Sequence, residues 1–243
     1  LDGDGLIGVS DLLQLLASYG AVCEIPESVW DCGDPINYHG YDYATVQIGD
    51  QCWFAENLRT ELYRNGDSIP ANLSDLDWIS TNEGARSIYG EGTSECFAQE
   101  PHLNACEETY SLEQFGSLYN WYAVNDIRKV CPSGWHVPDN TEWTEVFELY
   151  GGLNAAGLHL KASLGWSTPF LGTNSSGFSG LPCGYRTFAT GDFVDVGGNG
   201  IWWSSTAAGS VAFSALLWGG DGVTWEGADF NFGFSVRCIE DTE

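Results

Sequence analysis

The residues whose types and spacing could do chemistry stand first in the chain: Asp2-Gly3-Asp4-Gly5-Leu6-Ile7-Gly8-Val9-Ser10-Asp11. Calcium takes six to eight hard oxygens, and alternating acids around a sharp glycine turn supply them on one side of a tight loop. Laid on a twelve-residue calcium loop, Asp2 and Asp4 take positions 3 and 5, Gly5 the turn, Leu6 a carbonyl ligand and Asp11 the terminal carboxylate. Position 1 falls before Leu1. The expected cofactor is therefore calcium, held by Asp2, Asp4, Leu6 and Asp11; the competing reading is an Asp-Gly turn that only caps the helix. That helix carries the apolar stripe Leu12, Leu13, Leu15, Leu16 and Tyr19, starts on Ser10 or Asp11, and stops at Gly20.

Aromatic residues form the second candidate set. Tyr185, Trp202, Trp203, Trp218 and Trp225 offer flat faces on which sugar rings could stack, against the plainer reading that most of them are core. Strand alternation puts only one of Trp202 and Trp203 inward. Nucleophilic and metal chemistry is poorly represented: His39, His102, His136 and His159 show no metal-binding spacing, and no Ser-His-Asp set or nucleophile elbow can be named. Glu100-Pro101-His102 and Asn125-Asp126 echo the sugar loops of calcium lectins, but both precede the helix they should follow. Asp192, Asp195, Asp221 and Asp229 read as a solvated acidic face rather than a second calcium site.

Composition limits the partners. With 34 acidic against 8 basic residues the net charge is −26, which repels nucleic acid and anionic membrane surfaces. No run of about 18 apolar residues exists, so no membrane insertion is expected. A chain of 243 residues should bury roughly 70–75% of its unfolded surface, so eight cysteines exceed what stability requires and point to an oxidising, extracellular setting. We read Leu1 as an internal position of a longer, processed polypeptide.

The elements that must position these residues follow from pattern. Residues 1–20 are loop and helix, and 21–35 a linker with Cys23 and Cys32 close enough for a local disulfide. The main domain occupies 36–240. Tyr43–Ile48, a Gly49-Asp50 turn and Cys52–Phe54 predict a hairpin. Residues 61–110 read as ordered loop with a second local cysteine pair, Cys96 and Cys106. Ser111 and Gln114 make a capping box before Phe115, Leu118, Trp121 and Tyr122, which predicts one helix; Asp139 and Glu142 predict another with the stripe Trp143, Val146, Phe147 and Tyr150. Short strands follow in the last third. The layout is α+β. Spacing alone leaves 105 pairings of eight cysteines open.

Two resemblances complete the reading. The first twenty residues resemble the calcium loop and helix of a dockerin repeat. Ile48–Arg59, Gly116–Val124, Cys131–Pro138 with Glu142-Trp143, Gly177–Pro182, Gly184–Arg186, Trp202–Ser205 and Gly233–Cys238 together resemble the Fibrobacter succinogenes major paralogous domain. That resemblance implies a C-type-lectin-like α+β domain with long irregular loops, two main helices and short antiparallel strands, similar in fold to the sulfatase-modifying enzymes. It implies a disulfide between Cys131 and Cys238. Cys52 and Cys183 depart from the family pattern, and one added disulfide between them is the simplest explanation. The expected function is a secreted or surface-displayed bacterial binding module for glycan or extracellular protein, without catalysis. The alternatives are a subunit of a calcium-stabilised filament or surface layer, with homo-oligomeric contacts, and a copper oxidase of the formylglycine-generating type.

Overall fold

The computed structural model describes residues 8–9, 12–13, 30–92, 94–98, 104–167, 169 and 171–242. Asp2, Asp4, Leu6, Asp11, Cys23 and Glu100–His102 lie outside the described residues. The chain divides into Leu1–Asp31 and Cys32–Glu243. In the first unit Val9, Leu12 and Leu13 are helical, and Leu12 N donates to Gly8 O at 3.3 Å.

The second unit opens with a hairpin of β1 (Ile36–Tyr38) and β2 (Tyr41–Tyr43), then a second of β3 (Thr45–Ile48) and β4 (Gln51–Phe54). The latter is the predicted hairpin, turning at Gly49 with φ 62°. β4 pairs with the chain's last strand, β14 (Ile239–Glu240), which also pairs with β8 (Trp135–His136), so one sheet runs β3-β4-β14-β8. A second sheet contains β11 (Gly200–Ala208), β12 (Val211–Leu217) and β13 (Val223–Asp229). A third joins β6 (Cys96–Ala98), β10 (Phe193–Val196) and β9 (Cys183–Arg186), with β6 and β10 parallel. The remaining pair is β5 (Arg86–Ser87) and β7 (Leu118–Tyr119).

Helices fill the gaps between sheets. α4 (Asn140–Leu149) follows α1 (Asp75–Ser80), α2 (Glu108–Phe115) and α3 (Trp121–Val124), and precedes α5 (Ala156–Leu160). α4 starts on the predicted capping box, Asp139 and Glu142 each accepting from the other's backbone N–H. Trp143, Val146 and Phe147 are buried on it, against Trp53, Phe178 and Trp202 of the core. The single helix expected from Ser111 to Tyr122 is instead α2, β7 and α3. Gly116, with φ 74°, ends α2, and a side chain there would stand 2.9 Å from Leu58 O. Glu107, not Ser111, caps α2; the Ser111 hydroxyl donates to Ala105 O at 2.6 Å.

The disulfides partly depart from expectation. Cys131–Cys238 and Cys96–Cys106 are bonded as expected. Cys52 bonds Cys32, not Cys183, and this also removes the expected Cys23–Cys32 pair. The reason is local: Gly33 N donates to Thr45 Oγ1 and that hydroxyl donates to Asp34 O, each at 2.8 Å. Those bonds lay residues 32–34 beside β3, whose partner β4 carries Cys52. Cys183 is a buried free thiol whose sulfur meets Asn57 Nδ2 at 3.1 Å and Leu181 O at 3.0 Å.

Candidate functional site

The family-like stretches meet at Asn57. Its Oδ1 accepts from Trp202 Nε1 and Arg237 Nε, both at 2.8 Å, and its Nδ2 faces Phe115 O, Cys183 Sγ and Ser235 Oγ. Arg237 spends its other donors on the carbonyls of Phe54, Phe178 and Ser179. All of these side chains are buried. The network satisfies the polar groups of motifs far apart in sequence and thereby fixes how they pack; it presents nothing to solvent.

The predicted aromatic platform is not assembled. Trp202 and Trp203 are both wholly buried, because β11 is covered on both faces over Gly200–Ser204. Trp202 packs on Phe178, while Trp203 packs on Phe234 and donates Nε1–H to Tyr119 O. Trp225 sets its half-buried ring edge-on to Phe147. Tyr185 leans on Phe232 and Phe234. Trp218 alone of the five is exposed, at 52%. Asp126, one of the lectin-like echoes, is paired with Arg128 at 2.7 Å.

A concave aromatic site forms elsewhere, on the first hairpin. Its turn is His39-Gly40, both with positive φ (50° and 82°), the pattern that matches strand twist in a two-residue turn. The register sets Tyr38 opposite Tyr41 and Ile36 opposite Tyr43. Period-2 alternation therefore brings Tyr38, Tyr41 and Tyr43 to one face, while Asn37 and Asp42 bond each other on the other face at 2.6 Å. The segment after Asn57 closes the far wall. Tyr38, His39, Tyr41, Tyr43, Arg59 and Thr60, with Glu61 and Leu62, line a cavity of about 250 Å³.

Each planar group in this wall is backed by a tyrosine. The His39 ring stacks on Tyr38 with centroids 4.0 Å apart, and the Arg59 guanidinium lies 3.9 Å from the Tyr41 ring centre. Glu56 fixes both partners of the second stack, accepting from Tyr41 OH at 2.6 Å and Arg59 Nη2 at 3.0 Å. His39 Nδ1 meets Thr60 Oγ1 at 2.7 Å, and that hydroxyl lies 2.9 Å from Leu62 O. With the hydroxyl proton on Leu62 O, Nδ1 is the protonated nitrogen and Nε2 keeps its lone pair. Partial desolvation of the otherwise exposed His39 ring holds its pKa below the ordinary value, and burial pushes the Tyr38 hydroxyl up to about 12. Tyr41 is raised by burial and by its bond to Glu56. At neutral pH the imidazole and these phenols are uncharged. Arg59 Nε and Tyr38 OH are buried without a hydrogen-bond partner among the described residues.

The sequence reading missed this hairpin. The signal was present as three tyrosines around a His-Gly turn, Tyr38 before it and Tyr41 and Tyr43 alternating after it.

A larger cavity of about 510 Å³ lies between residues 72–76 and Glu91, Gly92 and Ser94. Beneath it Arg186 is fully buried, paired with Glu91 at 3.1 Å and Asp75 at 3.2 Å, and covered by the Trp78 ring at 4.5 Å. Ser94 donates to Asp75. These bonds account for the charged groups locally and describe a scaffold for loop 72–94. No cluster of three metal-ligating side chains occurs among the described residues, and no helix among them is long and apolar enough to cross a membrane.

No curated protein and no solved structure matches the chain. One family model does, over residues 46–240, described as the Fibrobacter succinogenes major domain. The match covers most of the chain, including all the motifs gathered around Asn57 and the Cys131–Cys238 bond. The chain belongs to the Fibrobacter succinogenes major domain family.

Proposed function

We propose that this chain is an extracellular bacterial binding module of C-type-lectin-like fold, non-enzymatic, recognising glycan or protein. The observation that carries the reading is the tyrosine-backed cavity, in which flat faces, a guanidinium and unpaired donors converge as they do in binding sites. Three disulfides among the described residues support an oxidising location. The lectin-like fold is supported by the α+β layout and by a disulfide that ties the segment before α4 to the end of the chain. Calcium enters through the sequence Asp2–Asp11, ahead of the domain.

Screening the protein on an array of bacterial and plant glycans, with and without calcium, tests the binding reading. Saturable binding to a defined glycan set is the expected result. Uniform silence would replace the reading with that of a structural surface subunit. Calorimetric titration of the chain with calcium tests the Asp2–Asp11 site, with heat of binding expected and its absence decisive against it.

A further inference from the structure

We infer that the cavity between the β1–β2 hairpin and Arg59 is a subsite for one neutral pyranose ring. This rests on the binding reading and names its ligand class and its location.

Size limits the occupant first. A cavity of about 250 Å³ falls under the roughly 300–1,000 Å³ that hold drug-sized ligands, so it takes a single ring and not a chain. A protein partner needs on the order of 800 Å² from each side, far more than one such cavity supplies.

The wall chemistry limits it further. His39 is exposed with one face backed by Tyr38 and so offers a flat surface held in place from behind, while the largely buried Arg59 guanidinium, backed by Tyr41, fixes its N–H groups beside it. The C–H face of a pyranose carries slight positive charge and sits well on a π surface. Its adjacent equatorial hydroxyls match the hydrogen-bonding groups beside that surface. Arg59 Nε–H lacks an acceptor among the described residues, and His39 Nε2, in the tautomer set by Thr60, keeps its lone pair on an exposed ring. Sugar hydroxyls can take either role; a carboxylate or phosphate provides only acceptors.

Charge excludes the anionic sugars. The Arg59 guanidinium is already bonded to Glu56 at 3.0 Å, Glu61 of the same wall is paired with Arg86 at 2.6 Å, and the chain as a whole carries −26. An incoming anion meets net repulsion.

The test is amide NMR of the whole chain titrated with the methyl glycosides of glucose, galactose, mannose and N-acetylglucosamine, and separately with N-acetyl-tyrosine amide. For a ligand of this size a Kd of about 1–10 mM is expected, with shifts confined to residues 38–43 and 56–62. His39→Asn keeps the positive-φ turn, since asparagine tolerates that region, and removes the ring; it should weaken binding at least about tenfold. Arg59→Met, which retains a side chain over Tyr41, should do the same. Shifts around Trp218 instead, or binding unaffected by both variants, would overturn the location while leaving a glycan-binding module standing. Response to N-acetyl-tyrosine amide but to no glycoside would make this a peptide site and overturn the sugar assignment. Glycan-array silence together with no response to any glycoside or to N-acetyl-tyrosine amide would remove the binding reading itself.

Discussion

Arg186 and Glu91 form an ion pair 3.1 Å long from which solvent is excluded, the two side chains being 0% and 3% exposed. Glu91 also accepts Ile88 N–H at 2.9 Å, and Arg186 reaches Asp75, Leu73 O and Gly191 O, so the guanidinium binds three loop segments together. Removing one partner of such a pair strands the other, at a cost of about 3–5 kcal/mol. Arg186→Met is expected to lower stability by that amount in urea unfolding. Glu91→Gln, which leaves Arg186 with Asp75, should cost less.

Asn57 is the second point of convergence. Asn57→Ala leaves Trp202 Nε1 and Arg237 Nε buried without their acceptor. With each stranded group costing about 1–3 kcal/mol, we expect a loss of about 3 kcal/mol and a lower thermal midpoint. Asn57→Asp, which keeps the accepting oxygen, should lose less.

Cys183 is wholly buried, and burial pushes its thiol pKa up. It should resist alkylation in the native protein and react once denaturant is added. Peptide mapping without reductant should show Cys32 linked to Cys52; a peptide linking Cys52 to Cys183 would overturn that pairing.

His136 is held between two carboxylates, with Nε2 2.8 Å from Glu142 and Nδ1 2.5 Å from Asp241. Its pKa is raised, first by the bond to Glu142 and then by that to Asp241. The clasp's stabilisation is thus complete below the ordinary histidine value near 6.5 and is lost as pH rises through the higher folded value. Because the ring is 37% exposed, the gain is about 0.5–1 kcal/mol. Urea midpoints should fall between pH 5.5 and 8.5 by a corresponding amount, and His136→Gln should flatten that component.

The hairpin β3–β4 and helix α4 were legible because alternation, turn residues and the Asp139–Glu142 box agree. The stretch from Phe115 to Tyr122 was misread because its apolar spacing imitates a helix; only the approach of Leu58 O to Gly116 reveals the break. β10 escaped notice because Asp195 takes a positive φ of 65° and interrupts its alternation. Trp202 and Trp203 misled because alternation assumes a strand with one wet face, and β11 has none over Gly200–Ser204. Cysteine pairing depends on which segments lie side by side, so the bonds of residues 32–34 to Thr45 decided what spacing could not.

The connectivity of the disulfides also sets how the domain answers tension. Pulled at Cys32 and Cys238, the covalent path crosses to Cys52, runs to Cys96, jumps to Cys106, continues to Cys131 and jumps to Cys238. Residues 33–51, 97–105 and 132–237 lie off that path, so the β1–β2 wall of the cavity is shielded while its far wall, Arg59 to Leu62, is on the path. The domain can therefore lengthen to about 240 Å instead of about 700 Å, and a module held between a surface and a moving load would keep these three segments out of the stretched contour.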